Sequence, residues 1–153
     1  MTDVDDFDLK ILQEIQKDAR VGQSELGEKV SLSTAAVNRR LKKMKENGVI
    51  EQYTALLNQS ALGLSLTVIA NVEVESEQLH ELDTTRKIFE GCPYVQQCYY
   101  VTGEWDFVLI FVIESMDKYN DLTRDLFFQN PNVKRFKTLV SMSKVKASMM
   151  LAL

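Results

Sequence analysis

Reactive side chains are scarce in this chain. A single histidine, His80, leaves no imidazole pair for a metal site or a histidine-based relay. It falls on a helical pattern among charged residues and reads as a solvated surface group. No Ser/His/Asp or Cys/His arrangement is legible, and no glycine-rich loop suited to cradling a phosphate. Two cysteines, Cys92 and Cys98, are too few for a disulfide framework. Their spacing matches neither a metal nor a redox motif, so both are expected as reduced thiols. The only two prolines, Pro93 and Pro131, stand where helical patterns stop. No apolar run approaches the roughly 20 residues needed to span a membrane. The opening MTDVDDFD is acidic and lacks the basic-then-apolar order of a secretory signal. A cytoplasmic protein without membrane contact, metal or cofactor is therefore expected, and an enzyme is disfavoured.

Positive charge is also in short supply: 18 lysines and arginines face 22 acidic residues, a net charge of −4. That balance argues against a polyanionic partner for the chain as a whole, but its distribution does not. Between residues 31 and 47 five cations, Arg39, Arg40, Lys42, Lys43 and Lys45, stand against one anion, Glu46. Phosphate affinity follows the local patch, so the acidic total leaves DNA open and predicts weak binding per module, with several modules acting together. The 153 residues, 45% hydrophobic and 26% charged, suffice for one ordinary globular domain or two small ones.

Residues 30–48, VSLSTAAVNRRLKKMKENG, carry the strongest local pattern. Ser33 is a good N-cap, because its hydroxyl can accept from an unpaired N–H of the first turn. Leu32 before it and Val37 after it fit a hydrophobic staple. Val37, Leu41 and Met44 share one face. At about 100° per residue, Ala35, Asn38, Arg39, Lys42 and Lys43 fall on the other. Asn47-Gly48 is a natural left-handed stop. Such a helix docks by one face and offers amides and cations with the other, and a helix fits the major groove of duplex DNA.

Upstream, Asp5 can cap a first helix with Asp8 in its first turn, and Phe7, Ile11, Leu12 and Ile15 form an apolar stripe running to about residue 19. A second short helix near 23–30 carries Leu26 and Val30. Three short helices, the last basic, match a helix-turn-helix module. Residues 49–57 read as a short strand or wing, and 58–63 as a linker. Beyond 64 the period changes to two: Leu66, Val68, Ala70, Val72 and Val74 alternate with Thr67, Ile69, Asn71 and Glu73. A helix follows over 78–90 with Leu79, Leu82 and Phe89 on its apolar side. Next come a strand over 95–102, a turn at 103–106 and a central apolar strand over 107–113. A Ser115-capped helix then carries Tyr119, Leu122, Leu126 and Phe127, and a last strand covers 136–145. The order βαββαβ is the ferredoxin-like split pattern, in which helices cover one sheet face only. The uncovered apolar face predicts a homodimer. The fold class is α+β, a three-helix (winged) helix-turn-helix followed by a ferredoxin-like βαββαβ domain.

A helix-turn-helix followed by βαββαβ in about 150 residues resembles the leucine-responsive/asparagine-responsive (Lrp/AsnC) regulators. The resemblance covers nearly the whole chain and is carried by DDFDLKILQEIQKDAR at 5–20, SELGEKVSLSTAAVNRRLKKMKENGVIEQYTALLN at 24–58 and GEWDF at 103–107. One departure is Thr34-Ala35, where the family often has proline after the serine. The resemblance implies a DNA-binding domain at 1–58 and an effector-binding, oligomerising domain at 59–153. It also implies dimers that often join into octamers, and an amino acid or related metabolite bound near 103–106 between dimers. Family effector-response positions correspond to Tyr100, Asp106, Met116, Phe128, Leu139 and Val140.

On this reading Thr34, Ala35, Asn38 and Arg39 face the groove at the start of the recognition helix. Arg39 suits guanine and Asn38 adenine, each through two hydrogen bonds. Arg40 packs its stem and reaches a phosphate, Lys42 and Lys43 position the backbone, and Ser24 caps the second helix near it. Two such helices would meet grooves about 34–36 Å apart on an imperfect palindrome. The plain alternative is a solvated helix face. In the loop, Gly103 permits close approach, Glu104 lies beside it, Trp105 offers an apolar wall and Asp106 accepts from a ligand ammonium. Alternatively Trp105 packs and Asp106 pairs with a neighbouring chain. Two further readings stay open: a sirohaem-decarboxylase-type enzyme subunit of the same architecture, which needs no basic face, and an effector-independent nucleoid-type DNA-binding protein with strong salt dependence.

Overall fold

Two reciprocal hydrogen bonds start the first helix. Asp5 accepts from the Asp8 N–H at 2.9 Å, and Asp8 accepts from the Asp5 N–H at 3.2 Å, a capping box built from two aspartates. The computed structural model describes residues 4–153. Helix α1 is Asp6–Lys17, α2 is Gln23–Val30 and α3 is Thr34–Glu46. Ile11, Ile15, Leu26, Val30, Val37, Met44 and Ile50 form the core of this unit, with Leu32 and Leu41 packed against it. Phe7 does not join that core. It lies 39% exposed, with the Arg40 guanidinium and the Lys10 ammonium each 5.6 Å from its ring.

The turn between α2 and α3 depends on Gly27. A Cβ there would lie 2.5 Å from the Leu32 carbonyl oxygen, so only glycine lets the chain fold back so closely. Ser31 takes the left-handed conformation, and the Leu32 N–H donates to the Gly27 carbonyl at 2.9 Å. Ser33 caps α3 by accepting from the Ala36 N–H, and Gly48 takes a positive φ just past its end.

Residues 51–58 form no strand, contrary to the strand or wing expected from their apolar residues. A strand needs a neighbour for its backbone groups, and among the described residues this segment pairs with none. A 3₁₀ turn at Ser60–Leu62, with Asn58 accepting from the Ala61 N–H, occupies the expected linker.

In the second unit β1 is Leu66–Val74, α4 is Leu79–Glu90, β2 is Val95–Tyr100, β3 is Phe107–Ile113, α5 is Met116–Thr123 and β4 is Val133–Val140. The sheet is antiparallel, in the order β2-β3-β1-β4. Val68, Ala70, Val72, Leu109, Phe111 and Ile113 turn one face to α4 and α5, where Leu82, Phe89, Tyr119, Leu122 and Phe127 complete the core. The opposite face carries Ile69, Tyr99, Val108, Ile110, Val112 and Leu139, and no element of this unit covers it.

Four local readings change. Leu79 is 78% exposed, because Thr85 rather than Leu79 completes the buried face of α4 with Leu82 and Phe89. Strand β2 stops at Tyr100. Helix α5 continues into a π-helical turn, Arg124–Phe128. Strand β4 starts at Val133 and ends at Val140, because its partner β1 spans only Leu66–Val74. Asn132 ties the start of β4 to the end of β1: its side chain accepts from the Ser76 N–H at 2.9 Å and donates to the Ser76 carbonyl at 3.1 Å.

The compact units are Leu57–Val145 and, with the chain up to Leu56, the tail Lys146–Leu153. The tail, read above as part of the second domain, attaches to α1. Gln16 accepts from the Leu151 N–H at 2.6 Å and donates to its carbonyl at 3.3 Å, and Gln13 donates to the Leu153 carbonyl at 2.8 Å.

Candidate nucleic-acid interface and effector loop

Helix α3 has two chemically different faces. Val37 and Met44 are buried and Leu41 half-buried, while Thr34, Ala35, Asn38, Arg39, Lys42 and Lys43 are exposed. Lys42 stands 3.8 Å from Glu46, an exposed i,i+4 pair that constrains it little. Arg39 and Lys43 have no carboxylate partner among the described residues and line a notch of about 240 Å³ with Asp5, Asp8 and Arg40. Helix α3 thus presents three cations, Arg39, Lys42 and Lys43, and the Asn38 amide to solvent, the side-chain types that contact phosphates and base edges.

Arg40 is different. Its Nη1 donates to Asp5 Oδ2 at 2.8 Å and to Asp8 Oδ1 at 2.9 Å. The Asp8 side chain is only 6% exposed. The two carboxylates hold the guanidinium above its ordinary pKa, and the Asp8 N–H and Arg40 hold the Asp5 carboxyl below its own. Arg40, expected to pack its stem while its head reaches a phosphate, has that head tied to α1 through Nη1. Sequence reasoning placed both aspartates on α1 as helix-start residues, but local pattern holds no sign of a partner more than thirty positions away.

Ser24 is also corrected. The cap of α2 is Gly22, without a side-chain hydrogen bond, and Ser24 lies exposed inside the first turn. Helix α2 begins at Gln23, two residues too early for Ser24 to cap it.

The turn at 103–106 joins β2 to β3, and Gly103 takes a φ of 136° there. Asp106 staples the turn to β1. Its N–H donates to the Val72 carbonyl at 2.9 Å, and its Oδ2 accepts from the Val74 N–H at 2.8 Å. The expected acceptor for a ligand ammonium thus has one oxygen already engaged by backbone. Trp105 lies half-buried under the Arg135 guanidinium, 4.5 Å from its ring, a stacking that sequence reading missed. Arg135 also pairs with Glu73 and, at 3.6 Å, with the exposed Glu104. Lys134 and Arg135 together hold the Glu73 carboxyl below its ordinary value.

The nine residues expected at the effector site separate into groups. Gly103, Glu104, Trp105 and Asp106 sit beside the end of β1, with Tyr100 opposite Phe107 close by. Tyr100 also lines a hollow of about 480 Å³ between α4 and β2, with the Arg86 guanidinium 4.8 Å from its ring. Leu139 and Val140 pair with Ile69 and Val68, three to six residues back along β1 from the Val72 and Val74 contacts of Asp106, which is about 10–20 Å away. Met116, partly exposed, opens α5 just after β3, and Phe128 is 73% exposed against the edge of Phe136. One chain does not bring all nine into a single pocket.

Among the described residues no cluster of His, Cys, Asp and Glu is arranged to hold a metal, and no helix is long and apolar enough to cross a membrane.

Residues 4–51 match the winged helix-turn-helix DNA-binding family, and residues 67–151 match the Lrp/AsnC ligand binding domain. The second match includes most of the tail that attaches to α1. The chain is 37% identical over 146 residues to an uncharacterized HTH-type transcriptional regulator, y4tD, of Sinorhizobium fredii, covering 95% of this chain and 86% of that one. It is 35% identical over 148 residues to the leucine-responsive regulatory protein of Rhizobium meliloti, covering 94% and 92%. The crystal structure of the transcriptional regulator NMB0573/L-Met complex from Neisseria meningitidis superposes with a TM-score of 0.91, at 27% identity and over 97% and 96% of the two chains. With a helix-turn-helix whose recognition helix carries exposed cations, a βαββαβ unit following it in the chain and both halves matched, the chain belongs to the Lrp/AsnC family of DNA-binding transcriptional regulators.

Proposed function

We propose that this protein is a cytoplasmic homodimer that binds duplex DNA in a sequence-dependent way and changes that binding when an amino acid or related metabolite occupies its βαββαβ unit. The observation that carries the reading is the two-faced α3, apolar residues inward and Asn38, Arg39, Lys42 and Lys43 outward. Arg39 and Asn38 read base edges, Thr34 and Ala35 lie at the groove-facing start, and Lys42 and Lys43 contact phosphates.

The uncovered sheet face with Ile69, Ile110 and Val112 supports dimerisation, since an apolar face of this kind calls for a partner. Two recognition helices then engage grooves about one DNA turn apart. Assembly to octamers is part of the same proposal. The separation of Asp106 from Leu139 and Val140 supports an effector site completed by residues of more than one chain. The L-Met complex of the Neisseria relative supports an amino acid as the ligand class.

We favour a regulator over a sirohaem-decarboxylase-type enzyme because the outward cations of α3 serve no purpose in the latter. The test has two readouts on one protein: selection of bound fragments from genomic DNA, and thermal unfolding across the amino acids. A stabilising amino acid that also shifts affinity for the selected fragment supports the proposal. Asp106→Asn, which keeps an acceptor for the Val74 N–H and removes the charge, is expected to fold and lose the amino-acid response. Undiminished ligand binding by that variant removes Asp106 from the pocket.

A further inference from the structure

We infer that the notch between the start of α1 and the outward side of α3 is a seat for one DNA backbone phosphate, and that the Asp5 carboxylate fills it in the free protein. The inference rests on the DNA-binding reading and adds to it a shared seat for the Arg40 and Lys43 contacts and a brake on that seat.

The notch holds about 240 Å³ and is lined by Asp5, Asp8, Arg39, Arg40 and Lys43. Three cations therefore converge on it. Arg39 and Lys43 are one turn apart on the same exposed side of α3 and have no carboxylate partner among the described residues. Arg40 contributes only Nη1 to its two carboxylates; its Nε and Nη2 have no protein acceptor among the described residues, and the side chain remains 24% exposed. A guanidinium fork with free donors and two neighbouring cations is the arrangement that recognises a phosphate oxyanion.

The two carboxylates are not equivalent. Asp8 is fixed: its side chain is 6% exposed, Oδ1 receives Arg40, and Oδ2 receives the Asp5 N–H. Asp5 is half exposed, and its Oδ2 meets Arg40 from the solvent side. Removing Asp5 from the guanidinium leaves Asp8 paired, so Arg40 stays anchored while its outer donors open. The Asp8 N–H and Arg40 keep the Asp5 carboxyl below its ordinary pKa of 3.8, so it is anionic at neutral pH.

The occupant is a DNA phosphate because the cations that line the notch stand on the helix that enters the groove, where the flanking backbone brings its phosphates. Asp5 places a negative charge where that phosphate must come. It acts as an internal substitute for the phosphate and lowers affinity for all sequences alike.

Asp5→Asn is the decisive variant. Asparagine caps a helix as well as aspartate and still accepts from the Asp8 N–H, while the charge is gone. Affinity for a mixed-sequence duplex is measured by fluorescence anisotropy across a salt series, for the full chain. Binding about three- to tenfold tighter at ~0.1 M salt is expected, with a salt slope steeper by about one. Asp18→Asn removes a somewhat more exposed charge at the far end of α1 and is expected to change little. Lys43→Ala is expected to cost more in the Asp5→Asn background than in the parent, because both then act on the same phosphate. Asp5→Ser, another good cap, repeats the test should the asparagine variant fold poorly.

Wild-type affinity in Asp5→Asn and Asp5→Ser, or an equal gain in Asp18→Asn, overturns the seat while leaving DNA binding standing. A wild-type protein that binds no duplex overturns the reading beneath it as well.

Discussion

Arg40 and Asp8, thirty-two residues apart, are joined by a 2.9 Å hydrogen bond that ties the recognition helix to the first helix. The arginine sits in the basic run of α3, yet its Nη1 is bound by α1. It sets how α3 lies on α1 and so where Arg39 and Lys43 point. Arg40→Ala leaves the Asp8 carboxylate buried without a cation. Removing one partner of such a pair costs about 3–5 kcal/mol, and the partial exposure of Arg40 puts the expected loss at the lower end. Hydrogen exchange of the α1 and α3 amides measures it; protection unchanged from wild type would show that the pair does not hold the helices.

Gly27 gives a second prediction for the same unit. Gly27→Ala would set a methyl group 2.5 Å from the Leu32 carbonyl oxygen, and backbone rather than a flexible side chain must move. A destabilisation of about 1–3 kcal/mol is expected, typical of forced overpacking, with DNA binding lost in parallel. Chemical denaturation followed by circular dichroism reads it, and a neutral result would mean that the α2–α3 turn relaxes freely.

The outward side chains of α3 separate into two kinds of contact. Arg39→Ala is expected to flatten the preference among related DNA sequences by about 1–3 kcal/mol at one base pair. Lys43→Ala is expected to weaken every sequence alike and make the salt slope shallower by about one. Anisotropy titrations against a selected fragment and its single-base variants distinguish the two. Identical profiles for both variants would contradict this assignment.

Acid should loosen both units. Asp5 and Glu73 have carboxyls held below their ordinary values of 3.8 and 4.5, by the Asp8 N–H with Arg40 and by Lys134 with Arg135. A depressed carboxyl contributes stability that is complete above its ordinary value and disappears as pH falls through the lower folded one. Thermal stability is therefore expected to fall as pH drops below about 4.5, and Glu73→Gln to lose stability at neutral pH but less on acidification. Equal acid sensitivity in Glu73→Gln and wild type would exclude Glu73 as a contributor.

What the chain declares locally proved readable. Ser33 as cap, the Val37, Leu41 and Met44 stripe, and the alternation over 66–74 depend on neighbours within a few residues, and each appears in the structure as expected. What depends on distant partners did not. The start of β4 at Val133 was obscured by Lys134 and Arg135, charges that fit a strand only because Glu73 lies across from them on β1. The Arg40 anchor was hidden for the same reason. Residues 51–58 carry strand-like residues without a strand to pair with, and the Asp106 staple exists only because the end of β1 passes beside it. The effector positions, taken over by resemblance, fall at separate places on one chain, a separation that follows from pairing register and not from any local motif.

The most direct test of the account is the affinity of the intact protein for a fragment selected from genomic DNA. It is measured beside a scrambled fragment of equal length and salt, with and without each amino acid. Binding at least about 10³-fold tighter to the selected fragment, shifted by one amino acid or a small set, is the predicted result. Equal affinity for both fragments, unmoved by every amino acid, would contradict it.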